Sequence, residues 1–285
     1  MRQSVIHTVI ITAVVTWSSV AEAEWQTHRE TAFAPPNGQW SVGILNPLEV
    51  QLDKDWGIEV HPLAALAAPH LNVHHVWVRH DRWALMGVYG LSIPSWSLKF
   101  EPPFGLRGYL SPKCVVSSAE PERRLRCGQD AWVAAPKVGA RYSRGRRWIV
   151  TLETDLAVGI LLSGEQPRPL DTYAPLEQLY TPMTHNYRLH VGARVSRTLP
   201  TGLIAMAEAD MYRVGDGDGR SPWAFSTYVG VDVQISRALR GTLGVIYWNS
   251  DQRAMVLRTD DEGFSRKEMV RSHDVYPTID LIWTY

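Results

Sequence analysis

The chain has 285 residues, of which 45% are hydrophobic and 10% aromatic, with 12 Trp and 11 Tyr. Lys plus Arg and Asp plus Glu stand at 29 each, and the densest basic run is only Arg144 to Arg147. A nucleic-acid partner calls for a clustered basic excess, so this balance argues against one.

The first element has the pattern of an export signal. Arg2 is the only charge ahead of a mostly apolar stretch from Val5 to Trp17, and small residues then lead to Ala21-Glu22-Ala23, an A-x-A-like cleavage site. The apolar stretch is shorter than the ~20 residues a membrane-crossing helix needs. Residues 1–23 are therefore expected to be removed, leaving residues 24–285 as one domain. No cysteine lies at the cleavage point to carry a lipid anchor.

Past the signal no run of 18 apolar residues occurs, and helical periodicity is missing. Period-two alternation takes its place. A short strand is expected over Thr27–Ala34, ahead of the Asn37-Gly38 turn signal. Trp56–Arg79 is poorly patterned, with His61 and His70 beside prolines in expected loops and His74 and His75 on opposite strand faces. Long connections are expected near 94–130, 163–184 and 251–272. The first holds both cysteines, Cys114 and Cys127; in an oxidising compartment they are expected to pair. Closing so short a loop would contribute about 3 kcal/mol in the chain-entropy model.

The strands between these loops each have two distinct faces. From Trp148 to Leu162, Val150, Leu152 and Leu156 oppose Thr151, Glu153 and Asp155. Leu189, Val191 and Val195 oppose Arg188, His190, Arg194 and Ser196. Leu203–Met211 carries Glu208 and Asp210 on its polar face. In Trp223–Ile235, Phe225, Val229, Val231 and Val233 oppose Ser226, Gly230 and Asp232.

A soluble sandwich alternates too, but its strands usually run 5 or 6 residues. Here they run about 11 to 15, aromatics gather at their ends, and short connections alternate with long ones, as in transmembrane barrels. About eleven strands fit between Gln39 and Tyr285. Closed single-chain barrels of this kind have even numbers, so Thr27–Ala34 would supply a twelfth, with ten strands as the alternative. The fold class expected is all-β: a closed antiparallel transmembrane β-barrel of about 12 strands.

The segment Val275, Pro277, Ile279, Leu281, Trp283 and Tyr285 occupies alternate positions and ends on an aromatic. It resembles the C-terminal assembly signal of bacterial outer-membrane β-barrel proteins, although these most often end in Phe. The resemblance implies outer-membrane localisation, with outer-membrane lipids and the barrel-assembly machinery as partners. Thr31-Ala32-Phe33 through Gly43 is also similar to the start of outer-membrane proteins of this size, and brings no activity with it.

Candidate sites centre on inward charges. Glu153 and Asp155, then Arg188, His190 and Arg194, then Glu208 and Asp210 alternate negative, positive, negative across three neighbouring strands, and Asp232 follows. A turn centred on Thr201 would set Arg194 opposite Glu208, a stabilising cross-strand arrangement. These charges either line a passive small-solute channel or plug a narrow barrel, since small barrels fill with side chains. The alternative to a channel is a closed structural or ligand-binding barrel acting through its outer loops, or a lipid-modifying enzyme. No G-x-S-x-G elbow is present, and Asn249-Ser250 has no histidine beside it in sequence. No three or four residues show metal-ligand spacing, so no metal or cofactor is expected. Gly215-Asp216-Gly217-Asp218-Gly219 is better suited to a loop than to the six or more oxygen ligands of calcium.

Overall fold

The computed structural model describes residues 30–99, 131–167, 174–215, 221–250, 256–259, 265–268 and 272–285. The expected signal peptide, Cys114, Cys127 and Asp216–Gly219 lie outside them.

Twelve strands close into an antiparallel ring. They are β1 (Trp40–Gly43), β2 (Leu48–Gln51), β3 (Trp56–Val60), β4 (His70–His80), β5 (Trp83–Ser92), β6 (Trp132–Gly145), β7 (Trp148–Val158), β9 (Tyr187–Thr198), β10 (Ile204–Val214), β11 (Trp223–Ser236), β12 (Leu239–Ser250) and β15 (Ser272–Thr284). Each pairs with the next in that order. β15 returns to β1 through Ser41↔Thr284, Val42↔Trp283 and Gly43↔Ile282. The short β8 (Ile160–Ser163) extends β7 along β6. β13 (Val256–Thr259) and β14 (Ser265–Glu268) form a separate hairpin. Helix α1 (Pro62–Ala67) joins β3 to β4, a 3₁₀ turn follows β5 at Pro94–Lys99, and α2 (Ala174–His185) precedes β9.

Strand alternation decides which side faces lipid. Val229 and Ile279, 63% and 70% exposed, lie on the outward face, as do Leu152, Leu243 and Val245. Inward neighbours such as Asp210, Ser226, Asp232, Thr242 and Asp280 are buried. Aromatics mark the inner, short-turn end: Trp40 packs against Tyr285 at 5.9 Å and Trp83 against Tyr142 at 6.2 Å. Trp40 and Tyr285 also exchange both backbone hydrogen bonds at 2.9 Å, which fastens the seam.

Two expectations are corrected. Residues 30–34 are not a strand; all twelve ring strands lie between Trp40 and Thr284, with β2 ahead of the unpatterned Trp56–Arg79 stretch and β3 at its start, both too short to show a period. Residues 31–35 instead pack inside the inner end of the barrel. Ala32 is fully buried against Val76, Ala84 and Met86, with Phe33 and Ala34 alongside, and its N–H donates to Ser143 Oγ at 2.7 Å. Next, His70 is not in a loop but opens β4. Its Nε2 accepts from His61 N at 3.0 Å while Nδ1 lies 2.8 Å from the Ala68 carbonyl, so one tautomer satisfies both contacts. Arg240 lies within β12, buried and facing Asp232.

β1, β2 and β3 have only four, four and five residues. The chain leaving β1 is caught by Asp280, whose carboxylate accepts N–H groups from Ile44 at 2.8 Å, Leu45 at 3.1 Å and Asn46 at 2.9 Å. A short contact from the Asn46 amide completes the cradle.

Candidate functional site: the charged lumen

β6, β7, β9 and β10 are consecutive in the ring, and their inward faces carry the densest charge. Register places Arg141, Glu153, Gly192 and Asp210 in one row across the four strands. The row beside it holds Asp155, His190 and Tyr212, and a third holds Thr151, Arg194 and Glu208.

The side chains form one connected network. Arg141 Nε donates to Glu153 at 3.0 Å, and Arg188 donates to Asp155 at 2.6 Å. His190 lies between two acids, Nδ1 at 3.0 Å from Asp155 and Nε2 at 3.0 Å from Asp210, and stacks on Tyr212 at 4.7 Å. Asp210 also accepts from Ser226 at 2.9 Å. Arg194 Nε donates to Glu208 at 2.7 Å, and its Nη2 makes short contacts to both Glu208 and Glu30.

Gly192 makes this convergence possible. A Cβ there would lie 2.6 Å from Asp210 Oδ1, 3.0 Å from His190 Nε2 and 3.1 Å from Glu153 Cγ. Its missing side chain is the space in which three charged groups meet.

Glu153, His190 and Asp210 present ligand-type atoms within 4.8 Å of one another, a spacing that could hold a metal ion. Both His190 nitrogens already face carboxylates, however, and a neutral ring can donate from only one of them. The arrangement is that of an imidazole bridging two acids, and an ion at Nε2 would have to displace the Asp210 contact.

Of the charges expected to face inward, Glu153, Asp155, Arg188, His190, Arg194, Glu208 and Asp210 come together here. Asp232 does not join them. It lies toward the inner end, accepting from Thr242 at 2.8 Å and facing Arg240 at 3.5 Å. Arg141, Lys137 and Glu30 were not singled out in the sequence. Lys137, Gly139, Arg141 and Ser143 do alternate with Val138, Ala140 and Tyr142, so period two could have found the first two. Nothing local marks Glu30. A cavity of about 190 Å³ remains between Lys137, Arg141, Glu153, Asp155, Arg188 and His190.

His273 stands opposite Asn249, contacting the Asn249 amide and Tyr247 Oη, both at 2.8 Å. Histidine is therefore close to Ser250 in the fold, but Ser250 faces inward and is fully buried while His273 is exposed on the outward face. The sheet separates them, so they do not form a nucleophile and base.

A closed twelve-strand antiparallel ring, apolar outside and ionic within, defines a transmembrane β-barrel of the bacterial outer membrane. No family model and no curated relative matches the chain. Among solved structures it is similar to outer-membrane expressed OmpT of Vibrio cholerae, at 8% identity and a TM-score of 0.41, over 84% of this chain and 64% of that one. A bacterial polysaccharide outer membrane secretin aligns at 6% identity and TM-score 0.40, over 87% and 69%. A Pseudomonas aeruginosa FadL homologue aligns at 8% and 0.37, over 86% and 67%. The chain thus spans 64% of the length of the OmpT it resembles.

Proposed function

We propose that this protein is a closed outer-membrane barrel whose lumen conducts small solutes only if its own N-terminal segment withdraws. The observation that carries this reading is residues 30–35 seated in the inner end of the lumen, tied by Glu30 to Arg194 and by the Ala32 N–H to Ser143. Above this segment the ion-paired network surrounds a cavity of about 190 Å³. Buried ion pairs of this density hold side chains across the lumen rather than leaving them free to line a pore.

Planar-bilayer recording tests the proposal. The refolded parent should show negligible conductance, and deleting residues 24–36 should produce steady ohmic steps. Steady ohmic steps in the parent would mean that the lumen is an open channel. A silent deletion variant that is correctly folded would mean that the ionic network alone closes it.

A further inference from the structure

The outer wall carries a second feature, independent of the lumen. Three neighbouring short turns, β4–β5, β6–β7 and β9–β10, lie side by side at the inner rim. They and the strand ends beside them hold Arg79, Arg82, Arg144, Arg146, Arg147 and Arg197 against a single acid, Asp81. The β2–β3 turn, by contrast, carries Asp53 and Asp55 with one lysine. Positive charge is therefore concentrated on one side of the rim.

Arg144 and Arg197 are exposed and point away from the lumen toward lipid. Arg144 is paired in register with Trp83 on one side and Val150 on the other, both outward-facing. Arg197 stands opposite Trp148, its guanidinium 4.6 Å from the centre of the indole ring. One strand, β7, separates the two arginines, and their partners on it, Val150 and Trp148, are two residues apart, which places the arginines about 12 Å apart at the backbone, within joint reach of a single phosphate. Arg144, Arg146 and Arg147 make no ion pair or side-chain hydrogen bond among the described residues.

Directly outward from these arginines the lipid-facing wall is indented. A groove of about 550 Å³ is floored by Ala140, Ala193 and Ala209 and walled by residues including Tyr142, Leu152 and Met211. Tyr142 is two residues along β6 from Arg144, and Ala193 four along β9 from Arg197. At about 3.3 Å per residue the groove begins some 7 Å beyond the arginines and extends into the apolar band. An amphiphile with its head at the rim would place a hydrocarbon chain there.

We propose that this side of the barrel is a binding site for an anionic glycerophospholipid of the inner leaflet. Arg144 and Arg197, with the turn arginines behind them, take the phosphate headgroup, and the alanine-floored groove takes an acyl chain. Basic residues at the membrane surface supply the head-group attraction. Trp83 and Trp148 lie at the interfacial level, in register with Arg144 and Arg197 respectively. Neither feature alone would specify an occupant: the groove by itself would take any chain, and the arginines by themselves any anion.

The test is native mass spectrometry of the folded barrel from mild detergent with added phosphatidylglycerol or phosphatidylcholine. The parent should retain one phosphatidylglycerol in preference to phosphatidylcholine. Changing Arg144→Gln and Arg197→Gln together should weaken that preference about thirtyfold, taking each arginine at its usual surface contribution. Ala193→Phe should fill the groove and abolish retention with every arginine in place, whereas Arg237→Gln, in the β11–β12 turn, should change nothing. Each variant is first shown to be folded by its heat-modifiable gel mobility, and Ala209→Phe replaces Ala193→Phe if the latter fails to fold. Equal retention of the two lipids by the parent, retention unchanged by either the arginine or the groove variant, or displacement of the lipid by inorganic phosphate alone would overturn the proposal.

Discussion

Glu30 is held by Arg194, and the same guanidinium also pairs with Glu208 across the β9–β10 ladder. One cation thus joins the segment ahead of the first strand to the barrel wall. All three side chains are mostly shielded, Arg194 being 14% exposed, Glu208 18% and Glu30 28%. Arg194→Ala leaves two carboxylates without their cation in a poorly hydrated interior and should cost about 3 to 5 kcal/mol. Glu30→Gln leaves the Arg194–Glu208 pair intact and should cost far less. A reversible folding titration into vesicles measures both, and a penalty for Arg194→Ala of about 1 kcal/mol or less would point to a wet lumen.

Ser143 carries a second tie to the same segment. Its hydroxyl accepts from Ala32 N at 2.7 Å and lies 2.8 Å from Thr151 Oγ1, with no exposed surface. Ser143→Ala orphans a buried amide and should destabilise the seated segment by about 1 to 3 kcal/mol. Limited proteolysis should then cut the N-terminal segment faster while the barrel stays intact. An unchanged cleavage rate would show that this bond does not retain it.

Val229 tests the lipid face. It sits mid-strand between Ala207 and Val245 and is 63% exposed on the outward side. Val229→Arg should cost about 2 to 4 kcal/mol near the bilayer midplane, and Val229→Leu close to nothing. Asp232, three residues along, needs a different expectation from one based on alternation alone. It is 2% exposed and is the anion facing Arg240, so Asp232→Asn should be clearly destabilising as well. Equal tolerance of Arg and Leu at Val229 would invalidate the face assignment.

The turn between β2 and β3 should respond to acid. The Asp53 carboxylate accepts N–H groups from Asp55 and Trp56, both at 2.8 Å, and the Asp55 bond first, then the Trp56 bond, holds its pKa below the usual 3.8. A carboxyl depressed in the folded state stabilises above its unfolded pKa, and the gain disappears as pH falls through the folded value. The stability difference between the parent and Asp53→Asn should therefore be constant at neutral pH and shrink below about pH 4. A difference independent of pH down to 2 would remove the carboxylate from that role.

The long strands were legible because their period-two faces persist over ten or more residues, as in Trp148–Val158 and Trp223–Ser236. The start of the ring was not, because β1 to β3 offer two or three residues per face, too few to separate from chance. Thr31-Ala32-Phe33 alternates like a strand, yet its apolar residues meet other apolar residues inside the barrel. One signal of this was present: Val76, Ala84, Met86, Ile204 and Met206 are apolar on faces that turn inward and are buried. Apolar residues at the end of a polar lumen call for something apolar to cover them. The charge network was half legible, since alternation placed the acids and bases on one face. The gap at Gly192 and the reach of Glu30 depend on three-dimensional proximity that no spacing encodes.

The low side of the ring affects the membrane itself. β1, β2 and β3, at four to five residues, reach about 17 Å at most, while the apolar band of such barrels is about 25 Å tall. Beside them the chain turns back at Asp280, and Ile44, Leu45, Leu63 and Leu66 stand about half exposed or more around this shortened wall. A bilayer meeting a wall shorter than its hydrocarbon thickness thins locally, at a cost of fractions of a kcal/mol per ångström. The lipid beside β1–β3 should therefore be thinner and less ordered than the lipid around β9–β12, where the strands run 11 to 14 residues. Hydrophobic mismatch around this barrel would be one-sided, which gives the molecule a preferred tilt and would draw neighbouring proteins with short apolar spans to that flank.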